Sequence, residues 1–140
     1  MITKNEKFNN KEGYFIGVGI GKTATTLIYE LLKNHPQLNI GKVKELHYFD
    51  NTDSPSIEEY EQLFPGSKGI KFEITPIYIY FKDVLKKIAS VLKNEKKKIL
   101  IVLRNPVKRA QAHYFHSMRR GEEMESFEKS FDLEKKKNCK

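Results

Sequence analysis

Residues 13–32 (GYFIGVGIGKTATTLIYELL) combine an apolar run, a glycine-rich turn and a helical pattern. The apolar run at 13–18 predicts a buried strand. Apolar residues within 24–32 recur at the i, i+3, i+4, i+7 and i+8 positions of an amphipathic helix. A strand that enters a helix through a glycine-rich turn is typical of α/β folds with a parallel sheet. This segment therefore constrains the chain to that class more than any other feature does.

The turn itself has the composition of an anion site. Gly21 lets the backbone turn tightly, and Lys22 supplies a positive charge. Residues 23–26 (TATT) place hydroxyls beside the unpaired N–H groups at the start of the helix. A helix N-terminus alone stabilises an anion by about 0.3–1 kcal/mol. We therefore expect a phosphate or a sulfate at this turn.

The rest of the chain continues the alternation of strands and helices, which favours a mostly parallel sheet with helices on both faces. The unbroken apolar run at 99–103 (ILIVL) predicts a strand buried on both faces. Ser56 or Ser54 is a candidate cap for the helix at 57–64. The patterns predict further strands at 38–40 and 69–74, and helices at 57–64, 81–92, 106–120 and from about 126.

We expect a single domain. Residues 1–12 are polar and are expected to be disordered, residues 13–134 to form the α/β domain, and residues 135–140 to form a basic tail. The only cysteine, Cys139, excludes an internal disulfide. The sequence shows no signal peptide and no apolar run of membrane-spanning length, which predicts a cytoplasmic protein.

The formal net charge of +8 favours an anionic partner. Gly21, Lys22 and Thr23 match the end of the nucleotide-binding pattern G-x-x-x-x-G-K-[ST], but its first position is Ile16 instead of glycine. The run at 99–103 is followed by Arg104, where a magnesium-binding acid would stand in a P-loop enzyme. An arginine binds phosphate through its guanidinium group. Both departures indicate a nucleotide with an extra phosphate, bound without a metal.

Four segments carry a resemblance to the sulfotransferases that use 3′-phosphoadenylyl sulfate (PAPS). Residues 22–26 (KTATT) resemble the family's 5′-phosphosulfate loop, K-[ST]-G-T-[TS], with Ala24 in place of the glycine. Residues 104–114 (RNPVKRAQAHY) resemble its 3′-phosphate motif, R-N-P-x-x-R-A-x-S-x-Y. Residues 44–50 (KELHYFD) and 69–78 (GIKFEITPIY) are similar to segments of glycan sulfotransferases, especially those that act on heparan-type chains. The resemblance spans about residues 13–130, the N-terminal part of such a domain.

The resemblance implies a P-loop-like three-layer fold and the transfer of a sulfuryl group from PAPS to a hydroxyl acceptor, expected to be a carbohydrate. It implies neither a metal site nor a nucleic-acid partner. Glu45 corresponds to the general base, Lys22 to the group that stabilises the leaving phosphate, and Arg104 to the 3′-phosphate ligand. The residues that correspond to the 5′-phosphosulfate cradle are Gly21, Lys22, Thr23, Ala24, Thr25 and Thr26.

The sequence departs from the family at two places. The serine that assists the 3′-phosphate arginine falls at Ala112, and losing such a hydrogen bond costs about 1.5–3 kcal/mol. Ser117 is expected to lie too far around the helix to replace it. The family also continues into a glycine-and-basic loop over the nucleotide, whereas this sequence ends at Lys140. We therefore expect the domain to be incomplete at its C-terminus, which bears on its activity.

Several alternatives stay open. A P-loop kinase or NTPase would require ATP and magnesium, and a non-catalytic module would bind polyanions in a salt-dependent way. Glu45 could be a partner of Lys44, and Arg104 could close a salt bridge at the end of its strand. His113 and His116 share a helix face and could hold a metal, although their spacing is a weak signal. His47 and Tyr48 could be only packing residues beside the site.

Overall fold

A parallel β-sheet flanked by helices forms the described part of the chain. The computed structural model describes residues 13–66 and 68–138. The strands are β1 (Tyr14–Gly19), β2 (Leu38–Ile40), β3 (Ile70–Ile74) and β4 (Lys97–Val102). The helices are α1 (Thr25–Leu32), α2 (Tyr48–Asn51), α3 (Ile57–Glu61), α4 (Lys82–Val91), α5 (Pro106–Arg119) and α6 (Phe127–Asn138), with one 3₁₀ helix at Pro76–Tyr80.

The four strands lie in the order β2-β3-β1-β4, and every neighbouring pair is parallel. This confirms the predicted α/β class. At the carboxyl ends of the strands, Gly17 pairs with Ile74 and Gly19 pairs with Val102. The loops that follow β1, β3 and β4 therefore meet at one edge of the sheet, which is where ligands bind in open α/β sheets.

The predicted strands and long helices are confirmed, and the ends that were predicted differ from the observed ones by at most two residues. β2 has the predicted bounds. Ser56 caps α3 as predicted, since its hydroxyl accepts a hydrogen bond from the Glu59 amide at 3.2 Å. α3 ends three residues earlier than predicted. α2 and the 3₁₀ helix were not predicted, because elements of about one turn are too short to show a hydrophobic period.

The core is an aromatic cluster between the sheet and the helices α2, α3 and α4. Tyr60 lies at its centre, with its ring 4.7 Å from that of Phe49 and 5.8 Å from that of Tyr14 between centroids. Aromatic pairs at such distances add about 0.5–1.5 kcal/mol each beyond the area that they bury. The buried members of this cluster are Tyr14, Ile16, Val18, Phe49, Tyr60, Phe64, Tyr78, Val84, Ile88 and Leu92.

The expectation that β4 is buried on both faces is wrong. Ile99 and Ile101 pair with Ile16 and Val18 of β1 and so lie on the core face, yet they are 48% and 54% exposed. β4 is the edge strand, and within the described residues its outer edge has no neighbouring strand. The helices of the core cover the centre of the sheet and stop short of this edge.

Two predictions concern the ends of the chain. The predicted disorder of residues 1–12 lies outside the described residues. The predicted basic tail begins inside α6, whose backbone continues through residue 138. Among the helices in residues 13–66 and 68–138, none combines the length and apolarity that a membrane crossing requires.

One carboxyl group, that of Glu73 on β3, is buried in the aromatic core. The Tyr60 hydroxyl donates to its Oε1 at 2.8 Å, and the Thr75 hydroxyl donates to its Oε2 at 2.8 Å. Burial raises the pKa of Glu73 to about 7, although these hydrogen bonds act in the opposite direction. Burial also raises the pKa of Tyr60 well above its ordinary value, so this hydroxyl keeps its proton.

We expect Glu73→Gln to flatten the pH dependence of stability. The folded protein holds a proton on Glu73 up to about pH 7, whereas the unfolded chain releases it near pH 4.5. The free energy of unfolding therefore falls by about 3 kcal/mol as the pH rises through this interval, and the variant lacks this fall. Urea denaturation at the two ends of the interval measures the difference.

Glu61→Gln is the matched control. Hydrogen bonds from Lys71 and Tyr14 lower the pKa of Glu61, so its stabilisation is present above the ordinary pKa and is lost as the pH falls below it. This control keeps the fall in stability between pH 4.5 and pH 7. A fall that persisted in Glu73→Gln would assign it to another group.

Candidate active site

The turn between β1 and α1 forms an open, anion-sized concavity. Lys22 and Ala24 both adopt left-handed backbone conformations, with φ of 70° and 67°. Residues alternating between the two hands turn successive N–H groups toward one side, an arrangement that binds anions. No side chain caps the start of α1, so its first N–H groups are available to a ligand. A Cβ at Gly21 would meet nothing within 4 Å, which shows that the space above the turn is open.

The side chain of Thr23, which was predicted to bind the ligand, does not face the site. Its hydroxyl is buried and donates to the Ile20 carbonyl at 2.7 Å, inside the turn. Lys22 and Ala24, on either side of Thr23, have left-handed backbone conformations. The Thr23 side chain is therefore turned away from the open side of the turn. Thr23 therefore stabilises the shape of the turn, and its side chain does not line the site.

Arg104 reaches the turn from the neighbouring strand. It follows β4, whose end pairs with the end of β1, and its Nη1 donates to the Lys22 carbonyl at 3.1 Å. This bond ties the strained Lys22 to a second strand. A guanidinium has five N–H donors, so Arg104 keeps others for an anion in the same space.

Glu45 lies on the loop that follows β2 and faces the turn from the opposite side. It forms an ion pair with Lys44 through Oε1, while its Oε2 lies 3.7 Å from Nε2 of His47. Nδ1 of His47 lies 2.7 Å from the Asp50 carboxylate. Glu45 is thus both a partner of Lys44, as the alternative interpretation had it, and a member of the site.

Charges from both sides of the cavity act on Lys22. Burial lowers the pKa of Lys22, the nearby Glu45 carboxylate raises it, and Arg119 and Arg120 lower it, with a net lowering. Burial likewise lowers the pKa of His116, as does the positive charge of Lys22. Lys22 therefore lies between one carboxylate and a group of basic side chains from the end of α5.

A cavity of about 1070 Å³ joins these groups. His47 and a basic face of α5 also line it, and neither was predicted to belong to the site. The α5 residues Arg109, His113 and His116 have the i, i+4, i+7 spacing of one helix face, a signal that the sequence already contains. In the described ranges, no group of three or more histidine, cysteine or acidic residues is arranged to hold a metal ion. The predicted site residues that line the cavity are Gly21, Lys22, Ala24, Thr25, Thr26, Glu45 and Arg104.

Comparisons with known proteins agree with this geometry. The crystal structure of a sulfotransferase from Alicyclobacillus acidocaldarius matches with a TM-score of 0.74 and 29% identity, over 89% of this chain and 57% of that one. Membrane-associated sulfotransferase kil1 of Dictyostelium discoideum is 31% identical over 109 residues, which are 74% of this chain and 23% of that protein. Heparan sulfate glucosamine 3-O-sulfotransferase 3B1 of Mus musculus is 31% identical over 114 residues, 79% of this chain and 28% of the relative. The chain belongs to the sulfotransferase family.

The match to this family is partial. The chain spans about a quarter of the length of these two curated sulfotransferases. No family model matches the chain. The matched part includes the P-loop-like sheet of the bacterial sulfotransferase, so the predicted fold class is confirmed at this level as well.

The sulfotransferase turn explains why the family pattern has glycine at position 24. Ala24 has φ 67° and ψ 25°, a conformation that costs an L-residue about 1–2 kcal/mol and glycine almost nothing. We expect Ala24→Gly to raise the free energy of unfolding by about 0.5–1 kcal/mol, because the relieved strain exceeds the added entropy of glycine in the unfolded chain. Urea denaturation measures this change.

Ala89→Gly is the matched control, because Ala89 is an exposed residue inside α4. Glycine within a regular helix lowers stability by about 1 kcal/mol, so the two substitutions have opposite signs. Equal losses in both variants would show that Ala24 carries no backbone strain.

Proposed function

We propose that the chain is the donor-binding part of a sulfotransferase that transfers a sulfuryl group from PAPS to a hydroxyl of a carbohydrate. The observation that carries the proposal is the cavity that joins Lys22, Glu45 and Arg104. These groups come from three separate loops at the carboxyl edge of the sheet. A cation, a carboxylate and a guanidinium around one space fit a phosphorylated donor and a proton acceptor.

The residues fit the donor. The open concavity above Gly21, the uncapped start of α1 and the side chains of Lys22, Thr25 and Thr26 suit the 5′-phosphosulfate. Arg104, whose Nη1 lies 3.1 Å from the Lys22 carbonyl, suits the 3′-phosphate. The cavity lies just above the range of about 300–1,000 Å³ for small-molecule sites, so it has room for an acceptor beside the nucleotide.

When bound, PAPS supplies a sulfuryl group whose S–O bond to the 5′-phosphate breaks as the acceptor oxygen bonds to sulfur. Glu45 takes the proton from the acceptor hydroxyl, a role that general bases fill within hydrogen-bond reach. Lys22 donates to the bridging oxygen, where negative charge grows. His47, fixed by Asp50, faces the free oxygen of Glu45 and holds it toward the acceptor.

The acceptor class is part of the proposal. One relative is named for heparan sulfate glucosamine, an anionic carbohydrate acceptor. The net charge of +8 and the basic face of α5 along the cavity favour an acidic sugar chain. The cytoplasmic location stays a prediction.

Calorimetry with adenosine 3′,5′-bisphosphate tests the proposal. We expect Lys22→Ala to weaken binding by roughly ten- to hundredfold, because it removes a charged hydrogen bond to the phosphate. Glu45→Gln should bind the nucleotide as the wild type does and lose sulfuryl transfer, since its role is confined to the acceptor proton.

The control is Lys33→Ala, at the other end of α1, where the lysine pairs with Glu30 in solvent. It should leave nucleotide binding unchanged. Binding of ATP with magnesium in place of the bisphosphate would favour a P-loop kinase or NTPase. Salt-dependent polyanion binding without either nucleotide would favour a non-catalytic module.

A second prediction concerns Ala112, which lines the cavity where the family motif has serine. Ala112→Ser should tighten binding of the bisphosphate by roughly ten- to hundredfold, because the hydroxyl restores a hydrogen bond to the 3′-phosphate. Ser117 also lines the cavity, but it lies about 7.5 Å further along α5. The same calorimetric titration measures the gain.

Ala89→Ser on α4 adds the same hydroxyl away from the cavity and should change nothing. If Ala112→Ser bound the nucleotide no better than the wild type, the 3′-phosphate would lie elsewhere, or Ser117 would already serve it.

A further inference from the structure

The loop that presents Glu45 is strained at two neighbouring positions. Glu45 and His47 have φ of 59° and 52°, and neither is a glycine. Such conformations cost about 1–2 kcal/mol each and persist only where the surrounding structure holds them. Leu46 stands between the two, so its contacts decide whether the loop keeps this shape.

Leu46 is held from two directions. Its side chain packs against the aromatic core and closely under Gly41, where a Cβ would lie 3.0 Å from the nearest Leu46 methyl group. Its backbone N–H is one of the groups that lower the pKa of the Glu73 carboxyl. Glu45 and His47, the two left-handed residues, therefore flank Leu46, whose backbone N–H acts on the buried Glu73 carboxyl.

A second path leads from the same loop to the same carboxyl. The Phe49 amide donates to the Tyr78 hydroxyl at 3.4 Å, and that hydroxyl donates to Oε1 of Glu73 at 3.5 Å. Tyr60 and Thr75 hold the carboxyl in place at 2.8 Å each. Glu73 thus accepts hydrogen bonds from α3, the 3₁₀ helix and the residue that follows β3, and the Tyr78 hydroxyl links it to the Phe49 amide.

We propose that Glu73 is a positioning residue, which holds the loop 45–49 so that Glu45 and His47 face Lys22. The proposal rests on the proposed function for the role of Glu45, but the positioning itself does not depend on it. All the partners of Glu73 are N–H or O–H donors, and the carboxylate form, which is present above about pH 7, can accept from each of them. Glutamine in its place would turn an NH₂ group toward at least one donor.

A purely structural role explains the arrangement less well. Burying an ionisable group is unfavourable, and apolar residues of similar volume often replace buried polar groups without loss of stability. Glu73 is 1% exposed and sits below a loop that no glycine relaxes. Without the Glu73 carboxyl, the backbone N–H of the loop beside it would face an apolar core.

Amide hydrogen exchange tests the positioning directly. We expect exchange in residues 45–49 to rise roughly tenfold in Glu73→Gln, which changes the carboxyl itself, and in Tyr60→Phe, which removes a hydrogen bond that holds this carboxyl in place. The amides of residues 19–26, on the other side of the cavity, should keep their rates. Tyr60→Phe decides the question if Glu73→Gln does not fold.

Tyr14→Phe is the matched control. Its ring stacks on that of Tyr60 in the same core, but its hydroxyl donates to Glu61 and not to Glu73. It should leave exchange in 45–49 unchanged. An equal rise throughout the chain in Tyr60→Phe, or no rise in 45–49, would overturn the proposal.

Kinetics separate this inference from the proposed function. In an active enzyme, Tyr60→Phe should lower kcat about tenfold while the affinity for adenosine 3′,5′-bisphosphate stays at the wild-type value. If the wild type neither bound the nucleotide nor transferred a sulfuryl group, the proposed function would fail. The exchange rates of residues 45–49 would still decide whether Glu73 positions the loop.

Discussion

The parallel pairing of β1 with β4 is the constraint on which the site depends. It sets Gly19 beside Val102, and so brings Arg104 to the turn that follows β1. The hydrogen bond from Arg104 to the Lys22 carbonyl then fixes a residue that is strained in isolation. Without this neighbour, the turn would be free to relax, and the N–H groups at the start of α1 would lose their common direction. The anion site is therefore a property of two strands together.

In the part of the chain that the structure describes, the strained non-glycine residues all lie in the loops around the cavity. Among the described residues, the non-glycine residues with positive φ are Lys22, Ala24, Glu45 and His47. Strain concentrated in this way is typical of functional sites, where the rest of the structure must compensate for it. The two loops are held differently, one by a guanidinium at the sheet edge and the other by the hydrogen bonds around Glu73.

The sequence predicted the strand–turn–helix, because hydrophobic periodicity is a local pattern. It also singled out Lys22 and Arg104, because each follows a predicted strand. It did not predict the exposure of Ile99, since that depends on which elements cover the sheet edge. It misassigned Thr23, whose hydroxyl direction follows from the backbone hands of its neighbours. Glu73 lies in the segment 69–78 that resembles glycan sulfotransferases, but the sequence assigned it no role, because that role depends on partners from distant segments.

The two interpretations of Glu45 turn out to be compatible, since a carboxylate has two oxygens. Oε1 is paired with Lys44, which fixes the side chain, and Oε2 is left toward His47 and the cavity. A flexible glutamate on a loop would spend most of its time away from an acceptor, so the ion pair and the strained backbone act in the same direction. Each restricts the positions that the free oxygen can take. The ion pair with Lys44 is therefore compatible with the proposed role of Glu45 as a general base.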